Sequence, residues 1–320
     1  MKAQLLSATL LTAFSGVLSA ADPQLLNLVM PDAKVVAGVN VQQAKGSLFG
    51  QYVLNQIQTH DADMQKLIAL TGFDPRRDVS EVLVASDGLP GSKNGLALAR
   101  GNFDVAKITA AATAAGQGVT TENYRGVTIL KDPKSLNGIA FLDSTTVAAG
   151  DLANVKGAID RRSAVQPLPA ALMVKINQWS NAQDAWGISA VPPASLAPVA
   201  NTAQPNPMFG ALQNVQQSAA GVKFGSNVVF TGEATCDTAQ NASTLGDLVK
   251  FMLNLAQMHA AQDPKAQALV NSVTVTPSGN VLNVSASLPE DVFTQLLKPA
   301  SRAAESRHPR VGGAAPRNLK

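Results

Sequence analysis

Aromatic residues make up only 4% of this 320-residue chain, and Trp and Tyr occur twice each. Surfaces that stack sugars or bases are built from exposed Trp, Tyr or Phe, so neither carbohydrate binding nor base stacking is expected. Cysteine is scarcer still, with Cys236 the single one. An intramolecular disulfide is excluded, and the core must hold the fold unaided. Cys236 lies next to an apolar strand, in Gly232-Glu233-Ala234-Thr235-Cys236-Asp237, the setting of a buried structural thiol.

Histidine is nearly absent as well: His60, His259 and His308 are far apart, and no H-x-x-x-H, C-x-x-C or EF-hand pattern occurs. No metal or cofactor is therefore expected. The Gly88–Gly95 stretch has Gly and Lys but joins two strand patterns and lacks the Gly-Lys-Ser/Thr end of a phosphate loop, so it reads as a hairpin turn. No G-x-S-x-G nucleophile elbow is present.

The positive balance is confined to the ends. The tail carries Arg302, Arg307, Arg310, Arg317 and Lys320 against Glu305, and with it and Lys2 set aside the chain's +3 leaves a body near −2. Such a body has no broad electrostatic footprint for nucleic acid. The tail's Gly, Pro and small residues offer no core, so it is expected to be disordered.

What is present begins with an address. Lys2 precedes an uncharged apolar run, Leu5 to Leu18, followed by Ser19-Ala20-Ala21 and Asp22-Pro23. This is the pattern of a bacterial-type secretory signal peptide, too short and too rich in small residues for a comfortable membrane span. The mature chain is expected to start at Ala21 or Asp22 and to work in the periplasm or outside the cell. No cysteine lies near the cleavage site to take a lipid anchor.

The chain is 46% hydrophobic and dominated by Ala, Val and Leu, enough for a sizeable core. Its body reads as two unequal copies of one pattern. Strands open them at Val35–Val41 and Ala185–Val191, and Phe49-Gly50 and Phe209-Gly210 start helices that run on through Gln-rich turns, in the second case over Leu212–Gln217. Each copy continues with a strand pair, a helix behind Asp104 or Asp237 as N-cap, a second hairpin and a closing helix. The expected organisation is residues 1–21 signal peptide, 22–160 first half, 161–183 linker with a short helix, 184–298 second half and 299–320 basic tail. The fold class is α+β: two tandem related halves, each a mainly antiparallel sheet with helices on one face.

The stretches Phe73-Asp74-Pro75-Arg76-Arg77-Asp78-Val79, Tyr124-Arg125-Gly126-Val127, Ala140-Phe141-Leu142-Asp143 and Ala148-Ala149-Gly150-Asp151 resemble those of uncharacterised secreted proteins of soil bacteria. The resemblance implies a signal peptide and duplicated α+β halves, and no activity.

Two groups are candidate sites. Arg76 and Arg77 could clasp an anionic group, the alternative being a turn whose Asp and Arg residues pair locally. The helix expected over residues 238–262 carries Leu245, Leu248, Val249, Met252, Leu255 and Ala256 at helical spacing, so one face should be buried. If the sheet curls around it, Leu248, Met252 and Leu255 would line an apolar pocket. Asp160-Arg161-Arg162 reads as helix-end charge complementing the dipole. The leading functional expectation is a non-enzymatic secreted interaction or binding module. The alternatives are a periplasmic carrier of a lipid or other hydrophobic molecule, and a hydrolase with a dispersed site. The tail could associate weakly with anionic surfaces.

Overall fold

The computed structural model describes residues 21–59, 62–114, 119–132, 134–193, 207–260 and 262–297. The expected tail and most of the expected signal peptide lie outside them, as do His60 and His308. The elements run α1 (Pro23–Leu26), β1 (Val35–Asn40), α2 (Val41–Lys45), α3 (Leu48–Thr59), α4 (Ala62–Thr71), α5 (Pro75–Asp78), β2 (Val79–Ser86), β3 (Gly95–Gly101) and α6 (Val105–Ala114). There follow β4 (Thr120–Tyr124), β5 (Val127–Lys131), β6 (Asn137–Phe141), β7 (Thr146–Asp151), α7 (Leu152–Arg161) and α8 (Ala170–Ala182). The chain continues through β8 (Ala185–Ser189), α9 (Pro207–Leu212), β9 (Val215–Lys223), β10 (Asn227–Cys236), α10 (Ala239–Ala260), α11 (Pro264–Ser272), β11 (Thr274–Ser278), β12 (Val281–Pro289) and α12 (Glu290–Leu297).

All twelve strands join one antiparallel sheet in the order β11-β12-β10-β9-β8-β1-β2-β3-β7-β6-β5-β4. The antiparallel α+β class expected from the hairpins is what the chain forms. The two expected sheets are fused, because β1 pairs directly with β8, Val36 opposite Ile188. Outward from that seam the order β1-β2-β3-β7-β6 matches β8-β9-β10-β12-β11, and the β4–β5 hairpin is extra on the first side. Both outer strands are polar, Thr120–Tyr124 at one edge and Thr274–Ser278 with Pro277 at the other, which discourages pairing with further strands.

Helices flank both faces of the sheet rather than one. Strand side chains alternate, and here both sets are apolar, so each face needs cover. On the first face, Val36, Leu83, Leu98, Ala148, Ile129, Trp186 and Ile188 pack with Leu25 and Leu26 of α1, Val155 and Ile159 of α7, and Leu172 and Ile176 of α8. The segment from Ala21 to Ala33 belongs to this core, contributing Leu28, Val29 and Met30 as well. Each fully buried side chain of this size contributes about 1.5–3 kcal/mol. Gly38 is required at the seam: a Cβ there would stand 2.7 Å from Leu83 Cδ2 and 2.7 Å from the Trp186 ring.

The second face is covered only in parts. Val41, Val79, Phe103 and Ile108 form one cluster over Val39, Val82, Ala99 and Val147. Ala242 and Leu245 of α10 form another with Val215, Cys236 and Leu282. The Gln-rich Leu212–Gln217 stretch, expected as helix, is instead the end of α9 and the start of β9. Pairing with β10, Gln217 opposite Thr235, overrides the helical preference of Gln. Thr238 rather than Asp237 caps α10, its hydroxyl accepting from the Asn241 N–H, while Asp237 accepts from Thr238 N–H and Asn241 Nδ2.

Candidate functional site

Between those two clusters the second face is open among the described residues. Register fixes a straight row across it: Ile139, Ala149, Ala97, Val84, Ala37, Gly187, Ala220, Gly232, Val284 and Val275 each lie opposite the next. Every member is apolar and most are small, so the row forms a shallow trough. Val84 is 44% exposed. Over β2, β1, β8, β9, β10 and β12 the trough deepens into a groove of about 640 Å³. Its lining includes Ala37, Val82, Val84, Val222, Phe230 and Val284, with Val273, where α11 ends, at one side.

An aromatic cluster stands at the groove and links the two halves of the chain. Phe230 of β10 packs against Phe293 of α12 with centroids 4.9 Å apart, and Phe49 of α3 meets Phe293 edge-on at 4.8 Å. Glu290 Oε1 accepts from the Phe49 N–H at 2.8 Å, which fixes the first turn of α3 beside α12. Among the described residues, Thr231 and Ser285 bring the hydroxyls of the groove lining, and no acidic or basic side chain is among them. Such a surface can take up apolar area from water.

The residues singled out in the sequence fall elsewhere. Arg76 is engaged by Asp74, with Nη2 2.9 Å from Oδ2, and Arg77 by Asp78, with Nε 2.7 Å from Oδ1. The Arg77 hydrogen bond is the leading cause that holds the Asp78 carboxyl below its ordinary range. Asp74 also caps the short helix α5, accepting from the Arg76 N–H. Leu248, Met252 and Leu255 lie on α10 but are not in the groove lining. Ala242, Leu245, Gly246 and Ala260 of that helix are buried, whereas Phe251, Met252, Leu255 and Met258 are exposed. Cys236 is buried, and burial pushes its thiol up. Arg161 is buried too, donating through Nε and Nη2 to the Leu28 carbonyl and so tying α7 to the N-terminal segment.

The motif residues behind the family resemblance serve turns and caps. Arg125 and Gly126 adopt φ of 49° and 81°, the two left-handed positions of a tight hairpin between β4 and β5. Asp151 caps α7 by accepting from the Ala153 N–H.

No protein-family model matches the chain, and no curated protein does. Among solved structures it is similar to TP0453. Crystal form III superposes with a TM-score of 0.55 at 12% identity, covering 86% of this chain and 97% of that one. Crystal form I gives 0.51 at 10% identity over the same shares, 86% and 97%. At these identities the likeness is one of fold. Among the described residues no helix is long and apolar enough to cross a membrane.

Proposed function

We propose that this chain is an exported binding module that takes an apolar ligand, such as an acyl chain, into the groove on the open face of its sheet. The observation that carries the reading is the row of small apolar residues crossing the sheet, left uncovered between two packed clusters. Monomeric proteins seldom leave a contiguous apolar face open without using it. Ligand pockets of several hundred Å³ with mainly apolar lining are the usual solution for hydrophobic molecules. The signal-peptide pattern of residues 1–21 supports work outside the cytoplasm. A hydrolase reading draws no support from this groove, since among the described residues its hydroxyls, Thr231 and Ser285, have no histidine or carboxylate beside them in the lining to act as base.

The test is a titration with a fluorescent polyene fatty acid, alongside native mass spectrometry of protein purified from its own host. Saturable binding is expected, and Gly232→Leu should weaken it at least tenfold. A Cβ at Gly232 meets nothing closer than 4.0 Å, so the added side chain fills the groove without disturbing the sheet. Absence of saturable binding, or equal binding by the variant, would rule the reading out.

A further inference from the structure

A small polar pocket on the covered face sits where the N-terminal segment enters the core. It is lined by Ala21, Asn40, Glu81, Ser180, Gln183, Asp184 and Trp186, with about 10 Å³ of free space. Two acceptors in this lining are buried without a partner: the Ser180 hydroxyl oxygen and Gln183 Oε1. Glu81 is largely withdrawn from solvent, and burial raises its pKa. Its Oε1 accepts from the Asp22 N–H at 3.0 Å. The Asp184 carboxylate, by contrast, is satisfied, accepting from Lys223 Nζ and from the Phe224 N–H. Arg100 does not serve Glu81 directly, since its guanidinium donates to Asp22, Gln24, Thr145 and Thr146. The pocket thus gathers acceptors and two carboxylates, and among the described residues its lining includes no lysine or arginine, Lys223 reaching only Asp184.

We propose that this pocket seats the α-ammonium group of the mature chain, formed when an export-pathway peptidase hydrolyses the Ala20–Ala21 bond. The inference rests on the export reading above. In the hydrolysis, the water oxygen goes to the Ala20 carbonyl carbon, the C–N bond breaks, and the nitrogen takes protons to become the ammonium of Ala21. An ammonium has three N–H donors, which matches Ser180 Oγ, Gln183 Oε1 and the Glu81 carboxylate in number and sign. Leaving buried acceptors unpaired is costly, so satisfying them stabilises the processed chain over the unprocessed one. Ala21 is 5% exposed and belongs to the main core, so cleavage after Ala20 keeps its methyl in place, whereas cleavage after Ala21 would discard it. Asp22 behind it is already fixed as the cap of α1 and the partner of Arg100, with Nη2 2.7 Å from Oδ2. Processing would therefore complete the fold and not merely release a leader.

The experiment uses fusion-released chains that run to Lys320 and begin at Ala21, at Asp22, or with Gly-Ser placed before Ala21. The chain beginning at Ala21 should melt highest, by roughly 2–6 °C. Glu81→Gln should remove most of its lead over the extended chain. An unmodified pair gives a second readout. An ammonium beside Glu81 has its pKa raised above the ordinary α-amino value of about 7.7–8.0. The lead should be full below that value and vanish as pH rises through the folded-state pKa. Among the described residues, Glu81, Asp22, Asp184, Arg100 and Lys223 are the charged groups around the site. Equal melting of the three chains, a Glu81→Gln chain that keeps the full lead, or a lead independent of pH would overturn the proposal. N-terminal sequencing of exported protein tests the processing separately: a start at Ala21 supports it, and a start at Asp22 or Met1 overturns it whatever the released chains show.

Discussion

Leu83 and Val84 are neighbours on β2, yet one is fully buried and the other 44% exposed. They belong to opposite faces of one sheet, and the faces are built on different plans. The first carries large side chains, Leu83, Leu98, Ile129, Trp186 and Ile188, and is sealed by α1, α7, α8 and the N-terminal segment. The second carries Ala, Gly and Val along its central row and is sealed only at two places. A sheet of twelve strands needs one well-packed face to be stable. Once that is supplied, the other is free to stay partly bare. Stability and binding are thereby assigned to different sides of the same strands, and substitutions should separate them.

The largest effect is expected from Leu83→Ala. Truncating a fully buried Leu costs about 2–5 kcal/mol through lost burial and the cavity left behind. Val84→Ala, one residue on, should cost no more than about 0.5–1 kcal/mol, since little of its surface is withdrawn from water. Urea unfolding monitored by circular dichroism measures both. Similar losses would break the distinction between the faces. A sharper version uses glycines of adjacent rows. Gly38→Ala places a Cβ 2.7 Å from Leu83 and Trp186, an overpacking that costs about 1–3 kcal/mol. Gly187→Ala meets Ala37 at 3.5 Å, ordinary contact, and should be neutral to within about 0.5 kcal/mol.

Part of this plan was legible in the sequence, for physical reasons. The hairpins β2–β3, β5–β6 and β11–β12 showed because apolar strands flank strong turn residues, and antiparallel pairing followed from that. β4 was missed because Thr-Thr-Glu-Asn-Tyr lies at the sheet edge, where no apolar alternation is needed. The fusion of the halves into one sheet was not legible either. The β1–β8 seam joins residues about 150 apart, and nothing local records which strand a neighbour will be. The groove stayed hidden for the same reason: Ala37, Ala97, Ala149 and Ala220 are unremarkable until register aligns them. The apolar stripe of α10 was legible, but spacing alone could not say that Ala242, Leu245, Gly246 and Ala260 would be buried while Met252 and Leu255 stay in solvent. Arg76 and Arg77 stood out as a dense cluster with Asp74 and Asp78, a candidate anion clasp or a locally paired turn, and only the fold shows Arg76 paired with Asp74 and Arg77 with Asp78.

The smallest effect on stability is expected from removing the basic tail, whose Gly, Pro and small residues offer little apolar surface to bury. A chain ending at Pro299 should unfold within about 1 kcal/mol of the full chain, the usual scale for changes away from core features. The difference between Leu83→Ala and Val84→Ala should survive the truncation unchanged. Surface association should not. The tail holds five cations, Arg302, Arg307, Arg310, Arg317 and Lys320, against Glu305, on a body that is mildly acidic. Each cation near an anionic membrane contributes about 1 kcal/mol at moderate salt. Binding to vesicles containing phosphatidylglycerol, followed by co-sedimentation, is therefore expected to fall on truncation. In the full chain it should weaken as salt shortens the screening length to a few ångströms. If the truncated chain binds such vesicles equally well, the attraction comes from the folded body, and the open apolar face becomes the surface to examine. If truncation lowers stability by several kcal/mol, the tail packs on the sheet, and the bare stretch of the second face is where such packing has room.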